Sequence, residues 1–218
     1  MKLSHWFESN HRFRVLLIVL AIAVVAMPVT AEFLGRETTP FGLTIIVLGV
    51  LFASGKAGSR IVLIPTVAVL TMVWVCFYFA DPYWEGVHFL AVAGLLFYSI
   101  WLTLTYLRER HRVNAETLAA AASIYLLFGL ACGAVYAALG EFNPGGLGFV
   151  NSDRDLTFHD HIYFSFVALT TIGFGDIVPR DAMNRSLSML EAICGLFYVT
   201  LVISRFTNLF RAPSEIDD

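Results

Sequence analysis

The chain has 218 residues, of which 58% are hydrophobic and only 14% charged, with a mean hydropathy of +0.74. A soluble domain of this length has no interior large enough to hide that much apolar surface, so the composition points to a membrane protein. The net charge of −3 says nothing about nucleic acid, and no basic patch interleaved with aromatics suggests a nucleic-acid partner.

In chain order, apolar runs cover residues 15–31, 41–53, 61–80, 87–107, 118–139 and 187–206. Most approach the roughly 20 residues that a helix needs to cross the hydrocarbon core, and the run at 41–53 is the short one. The first run is long and has no small-residue cleavage site, which favours a retained helix over a secretory signal. Basic residues set the orientation, because Lys and Arg gather in short cytoplasmic loops. If all six runs cross with the N-terminus inside, the cytoplasmic side holds Lys2, Arg12, Arg14, Lys56, Arg60, Arg108, Arg110, Arg112, Arg205 and Arg211. The outside then keeps only Arg36, Arg154, Arg180 and Arg185. Dropping the short run would move a basic cluster outside, so the expectation is six crossings with both termini cytoplasmic. Cys76, Cys132 and Cys194 all fall inside apolar runs and read as core or lipid-facing residues, not as disulfide partners or metal ligands.

Between the fifth and sixth runs stands Thr170, Thr171, Ile172, Gly173, Phe174, Gly175, Asp176. A potassium ion leaving water needs oxygens that replace its hydration shell, and a strand with successive carbonyls aimed at one axis supplies them. Such a strand puts alternate residues in dihedral regions that side chains resist, and Gly173 and Gly175 sit at that alternation. The run resembles the TTVGYGD selectivity filter of tetrameric potassium channels, with Ile172 and Phe174 at the two positions that vary most readily. The resemblance implies an all-α membrane protein with six transmembrane helices, a re-entrant pore helix and a filter. It also implies a homotetramer, since each chain carries one filter strand and the complete pore needs four. The layout is then a four-helix transmembrane domain over 1–114, a pore domain over 115–210 and a short cytoplasmic tail over 211–218.

Within the pore domain, 118–139 reads as the outer helix. Residues 141–157 form a polar turret with a turn at Asn143, Pro144, Gly145 and Gly146. Residues 159–170 read as the pore helix, with Thr157 or Asp160 as cap. The resemblance assigns K+ ligation to the carbonyls of Thr171, Ile172, Gly173 and Phe174, with the Thr171 hydroxyl as innermost ligand. Thr170 becomes a locally bonded support residue. Tyr163 and Phe164 take the places where many relatives have a tryptophan pair, and Phe174 lacks the tyrosine hydroxyl that ties many filters to those aromatics. Val167 stands where some relatives carry a glutamate. Glu191, an acid one turn inside the last apolar run, has two readings: a filter support bonded behind the strand, or a solvated group at the interface. Gly195 is open as a hinge or as a close-packing site.

A voltage sensor needs several charges in its fourth helix, because each elementary charge gains only about 2.3 kcal/mol per 100 mV. Residues 87–107 contain no Lys or Arg. The expectation is therefore a channel without conventional voltage gating, whose first four helices act as scaffold or regulatory domain. The residues after Arg205 are too few for a nucleotide- or calcium-binding module, which leaves a separate regulatory partner open. His159 and His161, flanking Asp160, read either as helix-start contacts or as sensors of external pH. Asn184, Arg185 and Ser186 match a glycosylation acceptor too near the membrane for use. No nucleophile, base and orienting group recur together and no metal-ligand spacing is present, so neither an enzyme nor a bound cofactor is expected. The functional expectation is a potassium-selective channel of a prokaryotic inner membrane, with membrane lipids and identical subunits as partners. A weakly selective cation channel and a non-conducting subunit are the alternatives.

Overall fold

The computed structural model describes residues 11–34, 39–79, 82–109 and 114–211. Lys2, Arg36, Arg110, Arg112 and residues 212–218 of the expected tail lie outside them. The elements are α1 (Arg12–Leu34), α2 (Thr39–Phe79), α3 (Pro82–Arg108), α4 (Ala115–Phe142), β1 (Leu147–Phe149), α5 (Phe158–Leu169), β2 (Ile177–Pro179) and α6 (Ala182–Arg211). Three helices among the described residues are long and apolar enough to cross a membrane: Tyr83–Arg108, Ala115–Phe142 and Ala182–Arg205.

The helices meet on narrow stripes. Phe13, Leu16, Leu20 and Ala23 of α1 recur at steps of three and four and are buried, while Ile18, Ile22 and Val25 face outward. Both faces of α1 are therefore apolar, and the outward one is left uncovered within the chain. Helices α3 and α4 run antiparallel. Tyr83 at the start of α3 meets Phe142 at the end of α4, with ring centroids 6.0 Å apart, and Phe97 meets Phe128 farther along. At the other end, Phe13 stacks near Tyr106 at 4.6 Å. There the Phe13 backbone N–H donates to the Glu116 carboxylate at 3.1 Å. One apolar core thus runs from α1 through α4 into α5.

The expected second and third spans do not appear as two helices. Helical backbone continues over Thr39–Phe79, through the Lys56 and Arg60 segment expected as a loop. Charges interrupt an apolar run, but Lys, Ala and Arg are good helix formers and do not interrupt a helix. A straight helix would set Leu43 and Val73 about 45 Å apart. Both line the same cavity of about 690 Å³, together with His88 of α3 and Phe158 of α5. Helix α2 therefore does not run straight, and Pro65 within it removes one backbone donor.

A second departure lies in the turret. Residues 147–149 pair antiparallel with 177–179, in the register Leu147↔Pro179, Gly148↔Val178 and Phe149↔Ile177. Backbone bonds from Val150 to Asp176 and from Arg180 to Gly146 extend this ribbon at both ends. It clamps the segment that follows residues 170–176 to the segment leaving α4, which itself runs to Phe142, past its expected end. The clamp closes a loop whose middle is α5 and residues 170–176.

Candidate functional site

The pore helix α5 is built to start and stop at defined points. Thr157 caps it: its hydroxyl accepts from Asp160 N–H, while Asp160 Oδ2 accepts from Thr157 N–H at 2.7 Å, a reciprocal capping box. The expectation offered either residue as cap, and both take part. Burial alone would raise the Asp160 carboxyl, but the Thr157 bonds and the Arg154 guanidinium at 3.1 Å bring it below its usual range. Burial holds His159 and His161 below the usual histidine range. Twelve residues give α5 a length of about 18 Å, too short to cross a hydrocarbon core of about 30 Å.

At its end the chain turns through Thr170. The Thr170 hydroxyl donates locally to Phe166 O at 2.6 Å. Thr171 N–H then bonds Ala168 O, and Ile172 N–H bonds Val167 O. Beyond this point φ is positive at alternate residues: 57° at Thr171, 63° at Gly173 and 75° at Gly175. A Cβ added at Gly173 or Gly175 would meet nothing within 4 Å, so backbone conformation and not space demands glycine there. Thr171 was not foreseen as the third member of the alternation. Among the described residues it is the one non-glycine with positive φ, a conformation that costs about 1–3 kcal/mol and persists only when surroundings impose it. Ile172 and Phe174 are 58% and 65% exposed within the single chain.

Support for the strand comes from two sides. Tyr163 donates its hydroxyl to Asp176 Oδ2 at 2.9 Å, and its ring lies parallel to Phe174 at 6.3 Å. Phe174 has no hydroxyl, but Tyr163 makes the tie in the opposite direction, to the residue two positions on. Phe164 points elsewhere: it is buried against Tyr136 at 5.0 Å, in a cluster with Ile177. Glu191 is 2% exposed, which removes the solvated-interface reading. Its Oε2 accepts from Tyr136 of α4 at 2.8 Å, and its Oε1 lies 2.5 Å from Ser165 Oγ of α5. From α6 it therefore touches both α4 and α5. A Cβ at Gly195 would lie 2.5 Å from Leu169 O, the last carbonyl of α5, so α6 approaches the pore helix closely there. Tyr125 of α4 reaches the same carbonyl at 3.3 Å.

The family model described as Ion channel matches residues 124–212, which hold all of this machinery. The chain is 30% identical over 74 residues to the potassium channel protein of Paramecium bursaria Chlorella virus 1, and covers 78% of that protein with 32% of its own length. The chain belongs to the potassium-channel family. Within that family it is also 33% identical over 63 residues to a protein of Rhodopseudomonas palustris named as a potassium channel. To a two pore potassium channel of Oryza sativa subsp. japonica it is 29% identical over 93 residues. These matches take in 29% and 43% of the chain and only 15% and 24% of the two proteins. No solved structure matches the chain.

Two features of this potassium-channel subunit escaped the sequence reading. Gly129 and Gly133 of α4 sit where a Cβ would strike Phe166 and Ile162 of α5, and the spacing of four between small residues was a visible signal for such an approach. Glu116, buried at the foot of α4, holds the first turn of α1 through Phe13 N–H and Arg14 Nε at 3.7 Å. Glutamate one residue inside a helix start is common, so nothing local distinguished it.

Proposed function

We propose that four copies of this chain assemble around one axis into a potassium-selective channel that conducts K+ passively across a cell membrane. The observation that carries this reading is the alternation of positive φ at Thr171, Gly173 and Gly175, the conformation that turns successive carbonyls to one side. The carbonyls of Thr171, Ile172, Gly173 and Phe174 then replace water around the permeating ion. The Thr171 hydroxyl is the innermost ligand, and Gly175 and Asp176 form the outer mouth. Thr170, Tyr163 and Glu191 hold the strand, Phe164 acts through Tyr136 and Ile177, and Gly195 is a packing site. The large exposed side chains along α6, among them Ile193, Leu196 and Phe197, support an oligomer in which neighbouring copies cover them.

The ends of α2 support a six-crossing topology in which that element passes the membrane twice, with both chain termini on the basic, cytoplasmic side of a prokaryotic inner membrane. The absence of Lys and Arg between residues 82 and 107 supports a pore without conventional voltage gating, with 1–114 as scaffold. Membrane lipids and a separate regulatory subunit are the remaining partners in this reading. Phe174 favours one neighbouring reading, a channel that also passes sodium, because the strand has one tie fewer than a tyrosine would give.

The test is rubidium flux into liposomes holding the purified protein, with and without Gly173→Ala. Flux in the native protein and its loss in an assembled Gly173→Ala tetramer are expected. Equal flux in both would sink the reading. Reversal potentials in potassium and sodium gradients separate the selective pore from the permissive one.

A further inference from the structure

The contacts around Glu191 contain more oxygens than an ionised carboxylate can satisfy. Ser165 Oγ lies 2.7 Å from Gly129 O and 2.5 Å from Glu191 Oε1. A serine hydroxyl has one proton, and the Gly129 carbonyl has none to give. If Ser165 donates to Glu191, two oxygens are left face to face at 2.7 Å with no proton between them. If Ser165 donates to Gly129, the 2.5 Å contact needs its proton from the glutamate. Only the second arrangement puts a proton in every contact, with Tyr136 donating to Oε2 at 2.8 Å.

The charges nearby agree with this count. Among the described residues, the ionisable groups that face Glu191 are Tyr125, Cys132 and Tyr136 on α4, the Cys132 thiol donating a further hydrogen bond to the carboxyl, with Cys194 one turn on along α6 itself. Ser165 is the polar group that faces it from α5. None of these is a cation. His161, one turn before Ser165, gives its Nδ1 to Thr157 O at 2.7 Å and sets its Nε2 beside Gly140. A buried carboxylate with no cation is costly, whereas a neutral carboxylic acid is both donor and acceptor.

We propose that Glu191 is a neutral carboxylic acid that donates to Ser165 and accepts from Tyr136, and so acts as a positioning residue that locks α4, α5 and α6 together behind the filter. The chain of donors runs Tyr136 to Glu191 to Ser165 to Gly129, beginning and ending on the outer helix. It triangulates the pore helix, whose last carbonyl accepts from Tyr125 one turn on and is closely approached by the backbone at Gly195. The inference deepens the channel reading, since the position it fixes is that of the filter strand.

The experiment is infrared difference spectroscopy of the full protein in liposomes at neutral pH, native against Glu191→Gln. A carbonyl stretch of a protonated carboxylic acid that vanishes in the variant is the expected result, and a carboxylate band vanishing in its place overturns the proposal. This signal does not depend on conduction, so a failed channel reading leaves it intact. In flux, Glu191→Gln retains the donor and acceptor and is expected to stay within about twofold of the native rate, while Glu191→Ala falls at least about tenfold. An assembled Glu191→Gln tetramer as impaired as Glu191→Ala would overturn the positioning role.

Discussion

Helices α4 and α6 are nearly the same length and both are apolar enough to cross a membrane, yet 67% of the candidate spanning window of α4 is buried within the chain and only 11% of that of α6. Composition says that a helix belongs in a membrane; it does not say what covers it. Helix α4 is matched inside its own subunit, by α1 and α3 on one side and by α5 on the other. Helix α6 touches its own chain along a narrow line, through Glu191, Gly195, Tyr198 and Arg205. The rest of its surface is uncovered within the chain, which is what the proposed assembly would cover. The filter strand belongs with α6 in this respect, since it is held from behind and open in front.

The difference predicts where a substitution acts. Gly133→Leu on α4 would drive a side chain into Ile162, whose backbone Cα would lie 2.9 Å from the first added carbon. Backbone cannot step aside as a side chain can, so the subunit itself should lose about 3 kcal/mol. Thermal unfolding monitored by circular dichroism in detergent checks this; an unchanged midpoint would mean that α4 and α5 do not meet as described. Replacing Leu196 and Phe197 of α6 with asparagine should leave that midpoint close to native. It should instead raise the dissociation constant of the assembly at least tenfold, about 1.4 kcal/mol. Native mass spectrometry reads the subunit count, and an intact tetramer at low concentration would break the contrast.

The part of the site legible in the sequence was the part with a local cause. Gly173 and Gly175 announce positive φ because few other residues tolerate it, and Thr157 with Asp160 announces a helix start through capping chemistry. Thr171 was illegible in this respect: a β-branched residue is a poor guess for that conformation, and only the filter on one side and the end of α5 on the other impose it. The β ribbon escaped because three residues per strand carry no periodicity. Glu191 was visible as an anomaly, but its partners stand 26 and 55 residues away. The course of α2 escaped for a different reason, since hydropathy registers Lys56 and Arg60 as a break and the backbone does not.

A smaller effect sharpens the comparison at the open side of the strand. Tyr163→Phe keeps the ring beside Phe174 and removes the single bond to Asp176. The bond is exposed in the subunit, so its loss should cost about 1 kcal/mol, the typical net value for a protein hydrogen bond. The strand should then hold its carbonyls less firmly, and the potassium-to-sodium permeability ratio should fall severalfold while total flux changes little. Reversal potentials in mixed gradients measure it. An unchanged ratio would leave Asp176 held sufficiently by the Ile177 N–H at 3.0 Å.

The smallest expected effect is one of protons, at the closed side. His161 is buried against α4, and its Nδ1 lies 2.7 Å from the Thr157 carbonyl, which requires the neutral ring to carry its proton on that nitrogen. Burial lowers its affinity for a second proton, outweighing the Thr157 carbonyl and Asp160, which favour the charged form. The folded state thus binds that proton less readily than the unfolded chain. The associated stability is complete above the ordinary histidine range and is lost as pH falls through it toward the depressed folded value. His159 titrates with the same sign, and Asp160 is held below its usual range, so it adds a loss only at more acid pH. The unfolding midpoint should therefore decline gently on acidification, and His161→Gln should flatten part of that slope. Because the site is matched within one chain, the slope should be the same in the tetramer and in the dissociated α6 variant. A slope that vanished on dissociation would place the histidine at the subunit interface instead.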